Sequence, residues 1–311
     1  MLKMELLYQR DVYGKALVEL GKTNPDIVVL DADLSSSTRT KMFAKSYPER
    51  FFNFGVAEQN MMAAAAGLAS CKKTVFVSTF AVFATGRAWD QVRTSVVYPQ
   101  FNVKIVATHS GVTVGPDGAT HQALEDIALM RVLPNMTVVV PCDGPETYDA
   151  VLASVKHQGP FYIRLGRDKV PTLENKGEFT LGKADKLCDG SDVTIIACGL
   201  MVNTACQAIK SKELERVSCR LLNMHTVKPI DKEAIICAAK ETKAIVTLEE
   251  HSVIGGLASA VDEVVSENCP RRVIRLGIKD KFGQSGEPQE LLKEYNLSEA
   301  DIISAVKRAL A

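Results

Sequence analysis

Short runs of β-branched and aromatic residues alternate along the chain with longer stretches whose apolar positions recur at helical spacing. In the first half the runs Ile27–Leu30, Thr74–Val77, Val103–Val106, Thr137–Val140 and Phe161–Arg164 predict strands, with helices between them. Asp143-Gly144-Pro145-Glu146 marks one helix start, with Asp143 or Gly144 near the cap and Pro145 in the first turn. From Pro171 to Asp192 the periodicity lapses into Gly, Lys, Asp and Glu, as in a linker over the surface. The alternation then resumes, with strands at Val193–Ala197, Ser218–Leu222, Ala244–Leu248 and Val273–Leu276. Helices are expected near Thr204–Ser211, Asp231–Lys240, Leu257–Glu267 and Ser298–Ala309. The pattern predicts an α/β protein of two domains, each a mostly parallel sheet with helices on both faces. The expected division is residues 1–170, a linker at 171–190, and residues 191–311.

Composition narrows the function classes. Lys+Arg and Asp+Glu balance at 37 each, so no bulk field recruits nucleic acid or an anionic membrane. The longest apolar run, Met61–Ala69, is too short and alanine-rich to span a bilayer, and Met1-Leu2-Lys3-Met4-Glu5 has no apolar signal core. A cytoplasmic location is expected. The 8 cysteines show no C-x-x-C pair and several lie in strand-like runs, the pattern of reduced buried thiols and not of disulfides or zinc.

Candidate chemistry concentrates in the first half. Glu58, in Phe54-Gly55-Val56-Ala57-Glu58-Gln59-Asn60, opens a helix of small apolar residues, where a carboxylate is costly without a partner. By itself it fits either a first-turn glutamate satisfying backbone donors or a functional acid. The glycine-rich segment Thr108-His109-Ser110-Gly111-Val112-Thr113-Val114-Gly115-Pro116-Asp117-Gly118-Ala119-Thr120-His121-Gln122 leaves a strand, where loop residues converge on ligands. Its histidines lack acidic or cysteine partners at metal-ligand spacing, so no metal is assigned to them. Arg164 closes an apolar strand at its carboxyl end, while Arg10, Arg167 and Ser35–Ser37 by themselves fit surface charges and a polar turn. Phe80 and Phe83 have core spacing. Glu249-Glu250-His251 fits a polar strand end or subunit contact better than a catalytic group.

Gly55-Val56-Ala57-Glu58-Gln59, with the Gly-x-Asp-Gly-x-Thr-His-Gln string at 115–122, resembles the pyrimidine-binding module of transketolases, which depend on thiamine diphosphate. The resemblance extends over the whole chain, including a transketolase C-terminal domain. It implies that Glu58 hydrogen-bonds a ring nitrogen of the cofactor's aminopyrimidine, that Phe80 and Phe83 stack on that ring, and that Leu34 adds a cofactor contact. Where the family has a third aromatic this chain has Gly86, which leaves the pocket more open or completed by Trp89. His121, a catalytic residue with Glu58, and Asp117 are assigned to the hydroxyls of a sugar. His109 falls near its phosphate end, and Arg10, Ser37 and Arg164 hold the phosphate.

The implied reaction carries a two-carbon glycolaldehyde unit from a ketose phosphate to an aldose phosphate, a step of the pentose phosphate pathway. The family holds the diphosphate and its magnesium through a Gly-Asp-Gly motif in a separate module, and that string occurs nowhere in this sequence. The resemblance therefore implies the C-terminal subunit of a split transketolase. A partner chain, the N-terminal subunit, would supply the diphosphate-binding domain and the Mg2+ ligands in an α2β2 heterotetramer. A 1-deoxyxylulose-5-phosphate synthase, the beta subunit of a 2-oxo-acid dehydrogenase and a non-catalytic assembly module are the alternatives.

Overall fold

A computed structural model describes residues 5–174 and 176–311. Met1–Met4, most of the segment read as lacking a signal core, lie outside the described residues, as does Asn175 within the expected linker. The strands are β1 (Leu6–Tyr8), β2 (Ile27–Asp31), β3 (Phe51–Asn53), β4 (Thr74–Phe80), β5 (Val103–Thr108), β6 (Thr137–Val139), β7 (Phe161–Arg164), β8 (Lys169–Pro171), β9 (Asp185–Cys188), β10 (Val193–Ala197), β11 (Cys219–Asn223), β12 (Thr226–Lys228), β13 (Ala244–Ser252) and β14 (Val273–Ile278). They build a sheet of order β12-β6-β7-β5-β4-β2-β3, a second of order β14-β13-β10-β11-β9, and a ribbon β1-β8. Both large sheets are parallel except at one edge each, where β12 and β9 run antiparallel.

Helices cover both faces of the first sheet because its strands are apolar on both. In β2, Ile27 and Val29 enter one core with Tyr13 and Leu17 of the helix Gln9–Thr23, while Val28 and Leu30 enter another with Met61 and Ala65 of the helix Glu58–Ser70. That second core continues into the second domain through Ile196, Leu222, Ile235 and Leu257, so apolar packing joins the two halves. The helix Gly144–Lys156 starts as expected, with the Glu146 N–H donating to the Asp143 carboxylate at 2.9 Å and Pro145 in the first turn. Asp231 likewise caps Lys232–Glu241. Among the described residues no helix is long and apolar enough to cross a membrane.

Two short polar segments depart from the sequence reading. β9 falls inside the stretch expected to be linker, and Thr226–Lys228, between the expected strand at Ser218–Leu222 and the helix near Asp231, forms β12 and pairs with β6 of the first sheet. Each is only three or four residues long and gains its partner from distant sequence, so local pattern carries little of its signal.

Charge is also buried where the domains meet. Arg164, at the end of β7, donates to Asp126 Oδ2 at 2.7 Å and to the carbonyls of Ala123 at 3.2 Å and Glu250 at 3.0 Å. Tyr162 donates to the same Asp126 oxygen at 2.6 Å. Burial works to raise the Asp126 carboxyl, but Arg164 outweighs it and holds the group below the usual carboxylate range. The expected polar strand end is also structural. Glu250 accepts the Thr113 N–H at 2.6 Å, and Glu249 accepts those of Leu257 and Ala258 at 2.7 and 2.8 Å, capping the helix Leu257–Asn268. Because Asp126→Ala strands a buried guanidinium, it should lower folding stability by about 3–5 kcal/mol in denaturant titration.

Candidate functional site

In the first sheet the chain leaves β2 toward β3 on one side and leaves β4 toward β5 on the other. Loops at the carboxyl ends of β2 and β4 therefore diverge, and ligand crevices of open α/β sheets form at such a point. The loop after β2 is fixed by the buried Asp31 carboxylate, which accepts from the Leu34 N–H at 2.7 Å and from the hydroxyls of Thr38 and Thr40 at 2.7 and 2.8 Å. Half-buried Leu34 thereby precedes the short helix Ser35–Thr38, which carries Ser37. After β5 the backbone turns left-handed at His109, Gly111, Gly115 and Gly118, and the segment runs on to His121.

Four rings meet in this crevice. Phe80, the last residue of β4, stacks against His109 with centroids 3.8 Å apart and planes at 22°. Phe83 lies 6.0 Å from Phe80 in near-parallel orientation. His121 approaches both phenyl rings edge-on, at 6.3 and 5.5 Å. Gly86 opens onto empty space, and Trp89 does not replace the missing aromatic there: its indole donates to the Leu129 carbonyl at 2.9 Å and packs on the core.

Glu58 is the first residue of its helix and only 1% exposed. Arg87 Nη1 donates to both carboxylate oxygens, at 3.1 and 3.0 Å, and the guanidinium lies 4.8 Å from the Phe83 centroid. Sequence reasoning missed Arg87, although its place four residues after Phe83 puts it one helical turn on.

On the other side of His109 the site is cationic. Arg10 Nη1 reaches the Ser37 carbonyl at 3.4 Å, and its buried Nε has no partner among the described residues. Arg39 bonds Asp11 and, at 2.7 Å, the Ser36 carbonyl. Arg167 donates to the Val114 carbonyl and to Asp117 Oδ1 at 3.3 Å. Burial, and after it the charges of Arg10 and Arg167, push His109 down to about 3. The imidazole is neutral at physiological pH, hydrogen-bonded through Nδ1 to the Thr108 hydroxyl at 2.8 Å. His121 Nδ1 pairs in the same way with Thr120 at 2.9 Å.

Of the ten residues expected here, Glu58, Leu34, Phe80, Phe83, Arg10, Ser37, His109, Asp117 and His121 lie on loops and termini at this edge of the sheet. Arg164 does not join them as an anion ligand. Its donors are taken by Asp126 and two carbonyls, and it is 5% exposed, so an oxyanion would have to replace a buried carboxylate. Arg167, three residues on and past Gly166, whose N–H donates to Gln9 Oε1 at 3.0 Å, faces the loop instead. Both arginines end apolar-to-polar transitions in sequence, and only the fold separates the inward one from the outward one. Among the described residues no group of three or more His, Cys, Asp or Glu converges as metal ligands.

The chain is similar to known proteins over most of its length. Residues 7–172 match the family described as transketolase, pyrimidine binding domain, and residues 182–302 match transketolase, C-terminal domain. The chain is 49% identical to a putative transketolase C-terminal section of Methanocaldococcus jannaschii, covering 98% of both. It is 42% identical to a 6-deoxy-6-sulfo-D-fructose transketolase subunit of Clostridium sp. (strain MSTE9), covering 97% of this chain and 94% of that one. A solved structure described as a split gene transketolase, inactive beta4 tetramer, superposes with a TM-score of 0.89 at 51% identity and 98% coverage of each chain.

The depressed His109 value has a measurable consequence. Between about 6.5 and about 3 the unfolded chain binds a proton at this residue that the folded one refuses. The stability it contributes is thus present above pH 6.5 and lost as pH falls, by up to about 1.4 kcal/mol per pH unit. Buried His225 and His251, both pushed down to about 4, act in the same window. In a pH series of NMR spectra the His109 ring C2–H shift should stay flat from about pH 8 to about pH 5. A midpoint near the ordinary histidine value of 6.5 would contradict the burial described here.

Proposed function

Because the chain belongs to the transketolase family, we propose that it is the C-terminal subunit of a split transketolase that moves a two-carbon glycolaldehyde unit from a ketose phosphate to an aldose phosphate. The reading rests on one observation: a buried carboxylate, a stacked phenyl pair and a guanidinium-lined histidine loop share a single crevice. These groups fit thiamine diphosphate in part. Glu58 and the Phe80–Phe83 pair suit the planar aminopyrimidine, Leu34 adds an apolar contact, and the diphosphate with its Mg2+ is left to a partner chain. When bound, the cofactor's thiazolium carbon supplies the nucleophile that cleaves and transfers the two-carbon unit.

This chain's own residues bind and orient. The Glu58 carboxyl, at the first position of its helix, would hydrogen-bond a ring nitrogen of the aminopyrimidine. His121 and Asp117 exchange hydrogen bonds with sugar hydroxyls, and neutral His109 lies toward the phosphate end. Arg10 and Arg167, with the hydroxyl of Ser37, hold the anionic end of the sugar. Arg167 thus takes the role first read onto Arg164. The sulfosugar named for one relative fits the same logic, since a sulfonate, like a phosphate, is an oxyanion to which a guanidinium can donate. The name of another relative and the inactive tetramer of a homologous chain support a separate N-terminal subunit, which we place in an α2β2 assembly. Free thiols at all eight cysteines suit the cytoplasm, where such an enzyme would serve pentose phosphate metabolism.

Reconstitution tests the proposal. The chain, its partner subunit, thiamine diphosphate and Mg2+ should together transfer two carbons between sugar phosphates, and the chain alone should not. Absence of transfer in the full mixture would sink the transketolase reading, and activity without the partner would sink the split. Glu58→Ala should abolish turnover. Arg167→Ala should raise KM for phosphorylated sugars about tenfold or more with a smaller change in kcat, the expected loss of a charge-assisted contact made in ground and transition states alike.

A further inference from the structure

Glu58 and Phe83, two of the groups to which the proposed function gives the aminopyrimidine, already share an occupant. Arg87 bridges both oxygens of the Glu58 carboxylate with one nitrogen and lays its guanidinium over the Phe83 ring. Among the described residues it is the only hydrogen-bond partner of that carboxylate. A guanidinium is flat, stacks on an aromatic face and offers N–H groups to a carboxylate. Those are also the properties that let an aminopyrimidine dock between an aromatic ring and an acid.

We propose that Arg87 stands in for the cofactor ring in the unloaded subunit and must swing out before that ring can enter. The inference rests on the proposed function, because it takes Glu58 and Phe83 to be the ring's contacts. The side chain is built to leave. It is 48% exposed while its partner is 1% exposed, and it grips through Nη1 alone instead of the two-nitrogen fork that holds carboxylates most firmly. It sits in the wide helical turn Phe83–Arg87, beside Gly86, whose missing side chain leaves open space. Without Arg87, Glu58 would be a desolvated carboxylate with no counter-charge until the cofactor arrived. With it, the acid is held ready, and the cofactor's apparent affinity is lowered by the fraction of molecules in which Arg87 has moved away.

The test measures cofactor affinity, not turnover. Thiamine diphosphate with Mg2+ is titrated calorimetrically into the two-chain complex carrying wild-type, Arg87→Met or Arg87→Lys subunits. Arg87→Met should tighten the apparent affinity about tenfold, the scale of one charge-assisted contact removed from the competing state. Arg87→Lys, which keeps the charge and loses the plane, should fall between the other two and guards against a folding defect in the first variant. A residue needed only for structure would weaken binding when replaced. Unchanged or weaker affinity in both variants, with normal binding by the wild type, would overturn the stand-in role and leave the functional reading intact. A wild-type complex that binds no cofactor would overturn both.

Discussion

The geometry of the crevice depends on a pair of charges that never meets solvent. Arg164 and Asp126 neutralise each other at the join between domains, and the remaining guanidinium donors fasten the Ala123 carbonyl at one end of the histidine loop and the Glu250 carbonyl in β13. The Glu250 side chain then takes the Thr113 N–H in the middle of the same loop. Gln122 Nε2 ties the loop back on the Val112 carbonyl at 3.0 Å and across to the Gln284 carbonyl at 2.9 Å. In a water-poor interior such bonds gain strength and tolerate little misplacement. A segment with four left-handed backbone positions is thereby set by the second domain, which contributes support to the site without entering it.

Electrostatic roles divide cleanly along the crevice. The guanidiniums of Arg10, Arg39 and Arg167 carry the positive charge, and their presence with burial keeps His109 uncharged. A neutral imidazole can both donate and accept, whereas a fourth cation could only donate. The buried carboxylate of Glu58 has a cation of its own, Arg87, which bonds both its oxygens and lies over the Phe83 ring.

Long apolar strands were the legible part of the fold. Phe161–Arg164 and Val193–Ala197 were read with their observed bounds because every residue in them is buried on a parallel sheet, so composition alone marks them. β9 and β12 escaped because short edge strands are defined by their partners. At the site, Glu58, Phe80, Phe83, His109, Asp117 and His121 were legible through motif strings that keep contiguous residues together. The arginines were not. Arg164 and Arg167 differ in sequence by a glycine and a leucine, and their opposite fates follow from Asp126, which lies some forty positions away and only the fold brings near. Arg87 belonged to no motif, and its importance comes from the carboxylate it reaches across a helix boundary.

The loan of β12 to the first sheet bears on how the protein is made. A ribosome releases the chain from its amino end, and domains ordinarily fold as they emerge. Here the edge of β6 stays open until Thr226–Lys228 has been synthesised, after β9, β10 and β11 of the other sheet. The first domain therefore waits, with an exposed strand edge, for a segment that arrives late, and both halves reach their final form together.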